Sequence, residues 1–239
     1  LRDFVLMKVI NFLSREEIHA LTAPSNIKGL QALVTTWLMI AASFGIVAIY
    51  PGVLTVIFAL IILGGRHLAL AILTHDCSHY SLFKTRGWND FLGTWFCGNP
   101  GWMDLKRYRE YHLRHHKLAG TTKDPDLGLV QGYPVSTWSM ARKFLRDLSG
   151  ITGLKRIFGL ILMDFGFIEY TLSGTIQRID QRGRGFLSTV VTGLKNIRGV
   201  VVSNLVIFSI LYFIQLPLLY LLWIVSYLTT FSLILRIRS

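Results

Sequence analysis

Residues 51–79 have the sequence PGVLTVIFALIILGGRHLALAILTHDCSH, which combines an apolar block with a pair of histidines. The stretch begins with a Pro-Gly turn, and the uncharged region around that turn extends from residue 29 to residue 65. A helix needs about 20 apolar residues to cross a bilayer. We therefore predict two membrane spans, Leu30–Tyr50 and Gly52–Leu73, joined by a tight turn.

A second uncharged block covers residues 199–235 and is interrupted only by Gln215-Leu216-Pro217. It predicts a third span at Gly199–Ile214 and a fourth at Pro217–Leu235. Of the 239 residues, 52% are hydrophobic and 16% charged, whereas an average soluble domain is about 25% charged. The predicted fold class is all-α integral membrane, with two transmembrane helical hairpins (four spans) and a cytoplasmic helical cap that contains the histidines.

The basic residues indicate orientation rather than nucleic-acid binding. Eighteen of the 25 Lys and Arg residues lie in residues 74–198, and the two hairpin turns contain none. Under the positive-inside rule, both termini and the middle segment are cytoplasmic. The net charge is +12, and the basic residues that produce it lie on either side of the apolar blocks. We therefore predict membrane lipids as partners and no nucleic acid.

These patterns divide the chain into five parts. We predict an N-terminal interfacial arm (1–28), a first transmembrane hairpin (29–73), a cytoplasmic region with histidines and an amphipathic helix (74–198), a second hairpin (199–235) and the start of a C-terminal cytoplasmic part (236–239). The amphipathic helix is predicted near residues 142–156, where basic residues surround Leu, Ile and Phe. Gly150 and Gly153 are expected to break it.

Two histidine clusters lie on the predicted cytoplasmic side, HDCSH at 75–79 and HLRHH at 112–116. On a helix, residues three or four apart share a face, so each cluster can direct two or three imidazoles to one point. Neutral imidazole is a ligand for iron, zinc, copper and nickel. Five nitrogens exceed the need of one tetrahedral zinc, which favours two metals or one richly ligated metal. The predicted ligands are His75, His79, His112, His115 and His116.

Nearby residues are candidates to support those ligands. Asp76 and Glu110 could accept hydrogen bonds from the second ring nitrogen of a ligand, and Asp124 and Asp126 follow the second cluster in a turn. His67 precedes His75 by two helical turns, so it could reach the site from below or join a polar network with Arg66. Trp102 and Tyr108 are predicted to be interface anchors. We identify no acid, base or nucleophile beyond the metal ligands.

HxxxH after a second span, followed by HxxHH some 37 residues later, resembles the membrane fatty acid desaturase and hydroxylase superfamily. The runs GGRHLALAILTHDCSH (64–79), YREYHLRHHKLAGTTKDPDL (108–127) and RKFLRDLSGITGLKR (142–156) are similar to bacterial-type fatty acid desaturases. The resemblance covers nearly all of residues 28–239. It implies two non-haem Fe ions held by histidines, O₂ as co-substrate and an acyl-lipid substrate.

The resemblance also implies a separate electron-donor protein of the ferredoxin, rubredoxin or cytochrome b5 type, and a bacterial inner-membrane location. Two departures stand out. Asp76 occupies a position where Glu is common in the family, and no histidine follows His116, although the family has a third histidine cluster. We therefore expect that the chain is truncated before that cluster.

Two alternatives stay open at this stage. One is a membrane hydroxylase or ketolase of the same superfamily, which the histidine clusters alone do not distinguish from a desaturase. The other is a non-catalytic membrane metal-binding protein. A transporter is disfavoured because its polar residues would lie at mid-membrane, whereas these lie at one surface.

Overall fold

A computed structural model describes residues 12–130, 132–173 and 176–238. The part of the N-terminal arm before residue 12, and residue 239, lie outside the described residues. The described chain is helical with no strand, and four of its helices are long and apolar enough to cross a membrane. The predicted all-α membrane fold with four spans is therefore confirmed.

The first hairpin is formed by α2 (Asn26–Ile49) and α3 (Val53–Ser78), after a short helix α1 (Arg15–Thr22). Ser25 caps α2 by accepting from the backbone N–H of Lys28, so the span begins four residues before its predicted start. No proline follows Pro51 before Pro100. Consequently α3 continues five residues past the predicted Leu73 and includes His75.

The described residues between the hairpins form five α-helices. A π-helical turn (Gly93–Gly98) and a 3₁₀ turn (Asn99–Gly101) lie between the first two. The helices are α4 (Arg86–Leu92), α5 (Leu105–Leu118), α6 (Leu127–Val130), α7 (Thr137–Leu148) and α8 (Ile151–Asp164).

The glycines between α7 and α8 act differently from each other. Gly150 has a φ of 80°, which only glycine adopts without strain, and it ends the amphipathic stretch as predicted. The prediction that Gly153 also breaks the stretch is wrong, because Gly153 lies within α8. It packs against the backbone of Leu228, where a Cβ atom would collide.

The second hairpin is formed by α9 (Phe186–Phe213) and a fourth span made of a 3₁₀ turn (Pro217–Leu219), α10 (Tyr220–Leu228) and α11 (Thr230–Arg238). The third span thus begins 13 residues before its predicted start. At about 1.5 Å per residue, its 28 residues exceed a hydrocarbon core of about 30 Å. The first turns, with Lys195 and Arg198, therefore fall within the region predicted to be cytoplasmic.

The fourth span, predicted as one helix, is interrupted at Thr229. The interruption follows from side-chain donors that bind the carbonyls just before it. Arg156 of α8 donates to the carbonyl of Tyr227, and the hydroxyl of Ser232 donates to the carbonyl of Leu228 at 3.1 Å. Diverting these carbonyls from the helical ladder is a recognised cause of a kink, and it leaves each carbonyl satisfied.

Helix α3 is the centre of the assembly and contacts α2, α5, α10 and α11. One buried cluster joins the four spans (Ile40, Phe44, Leu63, Leu70, Ile207, Leu211, Trp223). A second lies at the end of α3 that holds the histidines (Leu33, Leu73, Cys77, Phe83, Cys97, Leu105). The second cluster packs the end of α3 against the start of α5 and the π-helical turn. This packing holds in place the two helices that contain the histidines.

Candidate metal centre

The first pair of imidazoles lies at the end of α3, where His75 is in the last turn and His79 is the C-cap residue. The two residues are four apart in the chain, and their ring centroids are 4.8 Å apart. Nδ1 of His75 lies 2.9 Å from Oδ1 of Asp76, and because a carboxylate only accepts, the imidazole is the donor. Nε2 of His75 is then the ring nitrogen that is left for a metal.

The second pair lies on α5, which Asp104 caps by accepting from the backbone N–H of Arg107. The helix begins at the next residue, Leu105, and its period puts His112 and His116 on one face. Their ring centroids are 4.5 Å apart, and their Nε2 atoms are 3.0 Å apart. The spacing of four residues therefore produces a second convergent pair.

Packing of α5 against α3 brings the two pairs together. The ring of His112 lies 4.6 Å from that of His75 and 5.0 Å from that of His79, measured between centroids. Each of four histidines contributes one ring nitrogen to a group whose members all lie within 4.8 Å of one another. The four are His75, His79, His112 and His116. His112 is buried whereas His116 is exposed, so the cluster is open on one side.

His115 is placed differently from the other four predicted ligands. Its ring centroid is 5.8 Å from His112 and 5.6 Å from His116, and its Nδ1 donates to Asp124 at 2.7 Å. Oδ2 of Asp126 is 3.6 Å from the same nitrogen. Both aspartates thus contact a predicted ligand, and Nε2 of His115 is the nitrogen left for a metal. Its ligand role stays a prediction.

The other predicted supporting residues, Glu110 and His67, have different surroundings. Glu110 lines a surface cavity of about 350 Å³ with Arg107 and Tyr111. His67 is buried against Trp223, with Nε2 3.2 Å from the Trp223 carbonyl and 3.2 Å from the Ser226 hydroxyl. It therefore joins α3 to α10, and a role for His67 or Glu110 at the metal stays a prediction.

Tyr108 and Tyr111 lie on the same helix as His112, and neither was predicted to support the histidines. Tyr108 is buried, and its ring stacks on His112 at 5.1 Å with an interplanar angle of 9°. Its expected role as an interface anchor is wrong, because the helical spacing of four puts it on the histidine face of α5. The indole N–H of Trp102 donates to Asp164, and its role as an interface anchor stays a prediction. The hydroxyl of Tyr111 donates to Asp126 at 2.5 Å.

The electrostatics of the cluster favour neutral imidazoles. Burial, followed by repulsion from the neighbouring histidines, lowers the pKa of His112 to about 4. The same causes lower the pKa of His79. A hydrogen bond from His115 lowers the pKa of Asp124, which keeps that carboxylate ionised. Neutral imidazole is the form that binds metal, so the lowered pKa values of His112 and His79 favour binding of a metal cation at neutral pH.

Metal-free protein should lose stability as pH falls from about 6.5 to about 4. In this window, the unfolded chain binds a proton at His112 that the folded chain excludes, so linkage lowers the free energy of unfolding. Above pH 6.5 this contribution is constant. Denaturant unfolding at successive pH values measures the slope, and the variant His112→Gln should have a shallower one. Equal slopes for the two proteins would contradict the assignment.

The donor set fits a transition metal better than it fits a hydrogen-bonded network. Two Nε2 atoms that face each other at 3.0 Å can share only one proton, and no carboxylate is among the four converging ligand atoms described. Imidazole clusters of this kind suit iron, zinc or copper, whereas Mg²⁺ and Ca²⁺ prefer oxygen ligands. His75, His79, His112 and His116 would hold the metal, with His115 as a fifth candidate.

Comparisons with known proteins agree with this chemistry. The sequence profile of the fatty acid desaturase family matches residues 51–239. A dihydrorhizobitoxine desaturase from Bradyrhizobium elkanii is 27% identical over 177 residues, which cover 73% of this chain and 47% of that protein. A Delta(8)-fatty-acid desaturase from Euglena gracilis is 28% identical over 80 residues, 33% of this chain and 18% of that protein.

A second Delta(8)-fatty-acid desaturase, from Helianthus annuus, is 34% identical over 67 residues, which cover 28% of this chain and 15% of that protein. The aligned part thus spans about half of the bacterial relative and less than a fifth of the other two. The profile match includes α3, α5 and both histidine clusters.

Proposed function

This chain belongs to the fatty acid desaturase family, and on that premise we propose that it takes part in O₂-dependent desaturation of a lipid acyl chain. The reaction removes two hydrogens from adjacent carbons, and O₂ with two electrons and two protons becomes two waters. The observation that supports this proposal is the convergence of four imidazoles from α3 and α5 within 4.8 Å.

We propose two non-haem irons as the bound metals. Bound iron supplies the oxidising power that an unactivated C–H bond requires, because such a bond is too weak an acid for a side-chain base. The protein's own residues hold and orient the ligands. Asp76 fixes the ring of His75, Asp124 fixes the ring of His115, and Tyr108 stacks on His112. Five imidazoles are few for two irons, so the proposal requires further ligands.

The proposed orientation places the histidines on the cytoplasmic side of a bacterial inner membrane. Its support is the excess of Lys and Arg between the hairpins. Helices α7 and α8 would lie on the membrane surface, since Trp138, Leu145 and Phe158 are 69%, 65% and 64% exposed. A separate electron-donor protein would dock on the basic cytoplasmic face.

Metal content tests the proposal most directly. The protein should be purified in detergent, both as the 239-residue chain and with any codons that follow residue 239 in its gene, and assayed by elemental analysis. We expect iron in the purified protein, approaching two per chain in any longer form. Zinc in place of iron, or no metal in either form, would contradict a di-iron centre.

The product of the reaction tests the reaction type. Membranes that contain the protein, an electron donor and O₂ should convert an acyl lipid to a product lighter by two hydrogens, as measured by mass spectrometry. A product heavier by one oxygen would instead support a hydroxylase. Because one relative is named for dihydrorhizobitoxine, that compound belongs among the substrates tested, and its exclusive conversion would overturn the acyl-lipid assignment.

A further inference from the structure

Arg109 extends from α5 to the end of α3. Its Nε donates to the carbonyl of Ser78 at 3.0 Å, and its Nη2 donates to the carbonyl of Cys77 at 3.1 Å. The same Nη2 donates to Asp90 at 2.7 Å. The side chain is only 16% exposed, so this single guanidinium joins α5, α3 and α4 in a largely buried position.

The two carbonyls belong to the turn that holds the first histidine pair. The last carbonyls of a helix lack intrahelical partners, and a cation at this end also interacts favourably with the helix dipole. Cys77 and Ser78 lie between His75 and His79, and Arg109 precedes His112 by three residues on α5. Arg109 therefore connects the backbone next to one imidazole pair directly to the helix that holds the other.

The guanidinium is itself held in place from two sides. Asp90 accepts one of its hydrogen bonds, and the guanidinium carbon lies 4.1 Å from the ring centroid of Tyr80. Tyr80 follows α3 in a left-handed conformation, with a φ of 57°, and its N–H donates to the carbonyl of Cys77. These contacts leave the planar fork of Arg109 little freedom to rotate away from the α3 carbonyls.

We propose that Arg109 is a positioning residue that sets the separation between the His75–His79 pair and the His112–His116 pair. The inference rests on the proposed function, because it concerns the metal that these histidines would bind. It adds a residue whose hydrogen bonds in the described part of the chain go to backbone carbonyls and Asp90 rather than to an imidazole, and which is not among the predicted ligands or their supporting residues. Its fork binds two successive carbonyls, which the single ammonium of a lysine does not reproduce.

The test is a titration of the purified full chain with Co²⁺ alone, followed by its visible absorption spectrum. We expect Arg109→Gln to weaken Co²⁺ binding by about 10- to 100-fold, the range for residues that orient metal ligands, and to alter the spectrum. Arg109→Lys should fall between Arg109→Gln and the unmodified chain. Removing a positive charge near a cation site would by itself strengthen binding, so the expected loss has the opposite sign to a pure charge effect.

Arg114→Gln is the matched control. Arg114 lies on the same helix and is exposed, and its substitution removes the same charge. It should bind Co²⁺ at least as tightly as the unmodified chain and keep its spectrum. If Arg109→Gln does not fold, Asp90→Asn provides a milder test, since Asp90 is 51% exposed and orients the same guanidinium. Unchanged binding in a folded Arg109→Gln or in Asp90→Asn would overturn the proposal. If the unmodified chain binds no Co²⁺, the proposed metal centre fails instead.

Discussion

Replacing His112 by alanine should lower the affinity for ferrous iron by more than about 100-fold, beyond the range for residues that only orient ligands. His112 lies at the middle of the cluster, with ring centroids 4.6 Å from His75, 5.0 Å from His79 and 4.5 Å from His116. It is also the most buried of the four, so water does not easily replace its nitrogen. Competition with a chelator of known affinity, under anaerobic conditions, measures the change.

Leu113→Ala is the matched control for this experiment. Leu113 is the next residue on the same helix, and its side chain is 47% exposed. Its truncation removes side-chain volume from α5 without removing a nitrogen ligand, so iron affinity should stay within about twofold, less than an orienting residue contributes. Equal losses in the two variants would show that α5, rather than the imidazole of His112, is what the metal requires. An unchanged affinity in His112→Ala would exclude His112 as a ligand.

Sequence spacing was sufficient to predict which histidines share a helix face. The intervals 75 to 79 and 112 to 116 each produce a convergent pair in the structure. The lack of charge in residues 29–65 and 199–235 was likewise sufficient to predict four spans, because soluble cores rarely contain uncharged apolar stretches this long. These features depend on local periodicity and composition, which can be determined from the sequence alone.

The different surroundings of His115 and His116 could not be predicted from spacing. His115 and His116 both lie near the face of His112, yet only His116 joins the converging group. The difference depends on where the chain goes after α5, since a turn returns Asp124 to Nδ1 of His115. Arg109 and Tyr108 were missed for a related reason. Their roles depend on which helix packs against α5, although their positions three and four residues before His112 are a usable signal.

The interruption of the fourth span shows the same limit in the membrane region. Residues 220–238 contain neither proline nor glycine, so the sequence predicts one continuous helix. The break at Thr229 depends on Arg156, which is 71 residues from the carbonyl it binds. Arg236 of α11 also pairs with the buried carboxylate of Asp147 on α7, so contacts with α7 and α8 determine the path of α11.

Replacing Asp164 by alanine should lower the free energy of unfolding by about 3 kcal/mol, the lower part of the range for breaking a buried ion pair. Asp164 is 2% exposed at the end of α8, and its carboxylate accepts from Arg107 of α5 and from the indole N–H of Trp102 at 2.9 Å. Its removal leaves two donors without this acceptor in a buried position. Asp104, 3.4 Å from Nε of Arg107, retains part of the pairing, which is why the lower value applies.

Asp180→Ala separates this effect from the loss of any carboxylate. Asp180 is 71% exposed, and its contact with the Arg182 side chain, 3.8 Å long, is at the surface. Exposed pairs contribute between about 0 and 1 kcal/mol, so this variant should unfold almost as the unmodified chain does. Denaturant unfolding of both variants in detergent, followed by circular dichroism, measures the difference. If both variants lose a similar amount of unfolding free energy, Asp164 does not stabilise the packing of α8 against α5. A selective loss would show that the helix holding His112 and His116 depends on an ion pair outside the metal centre.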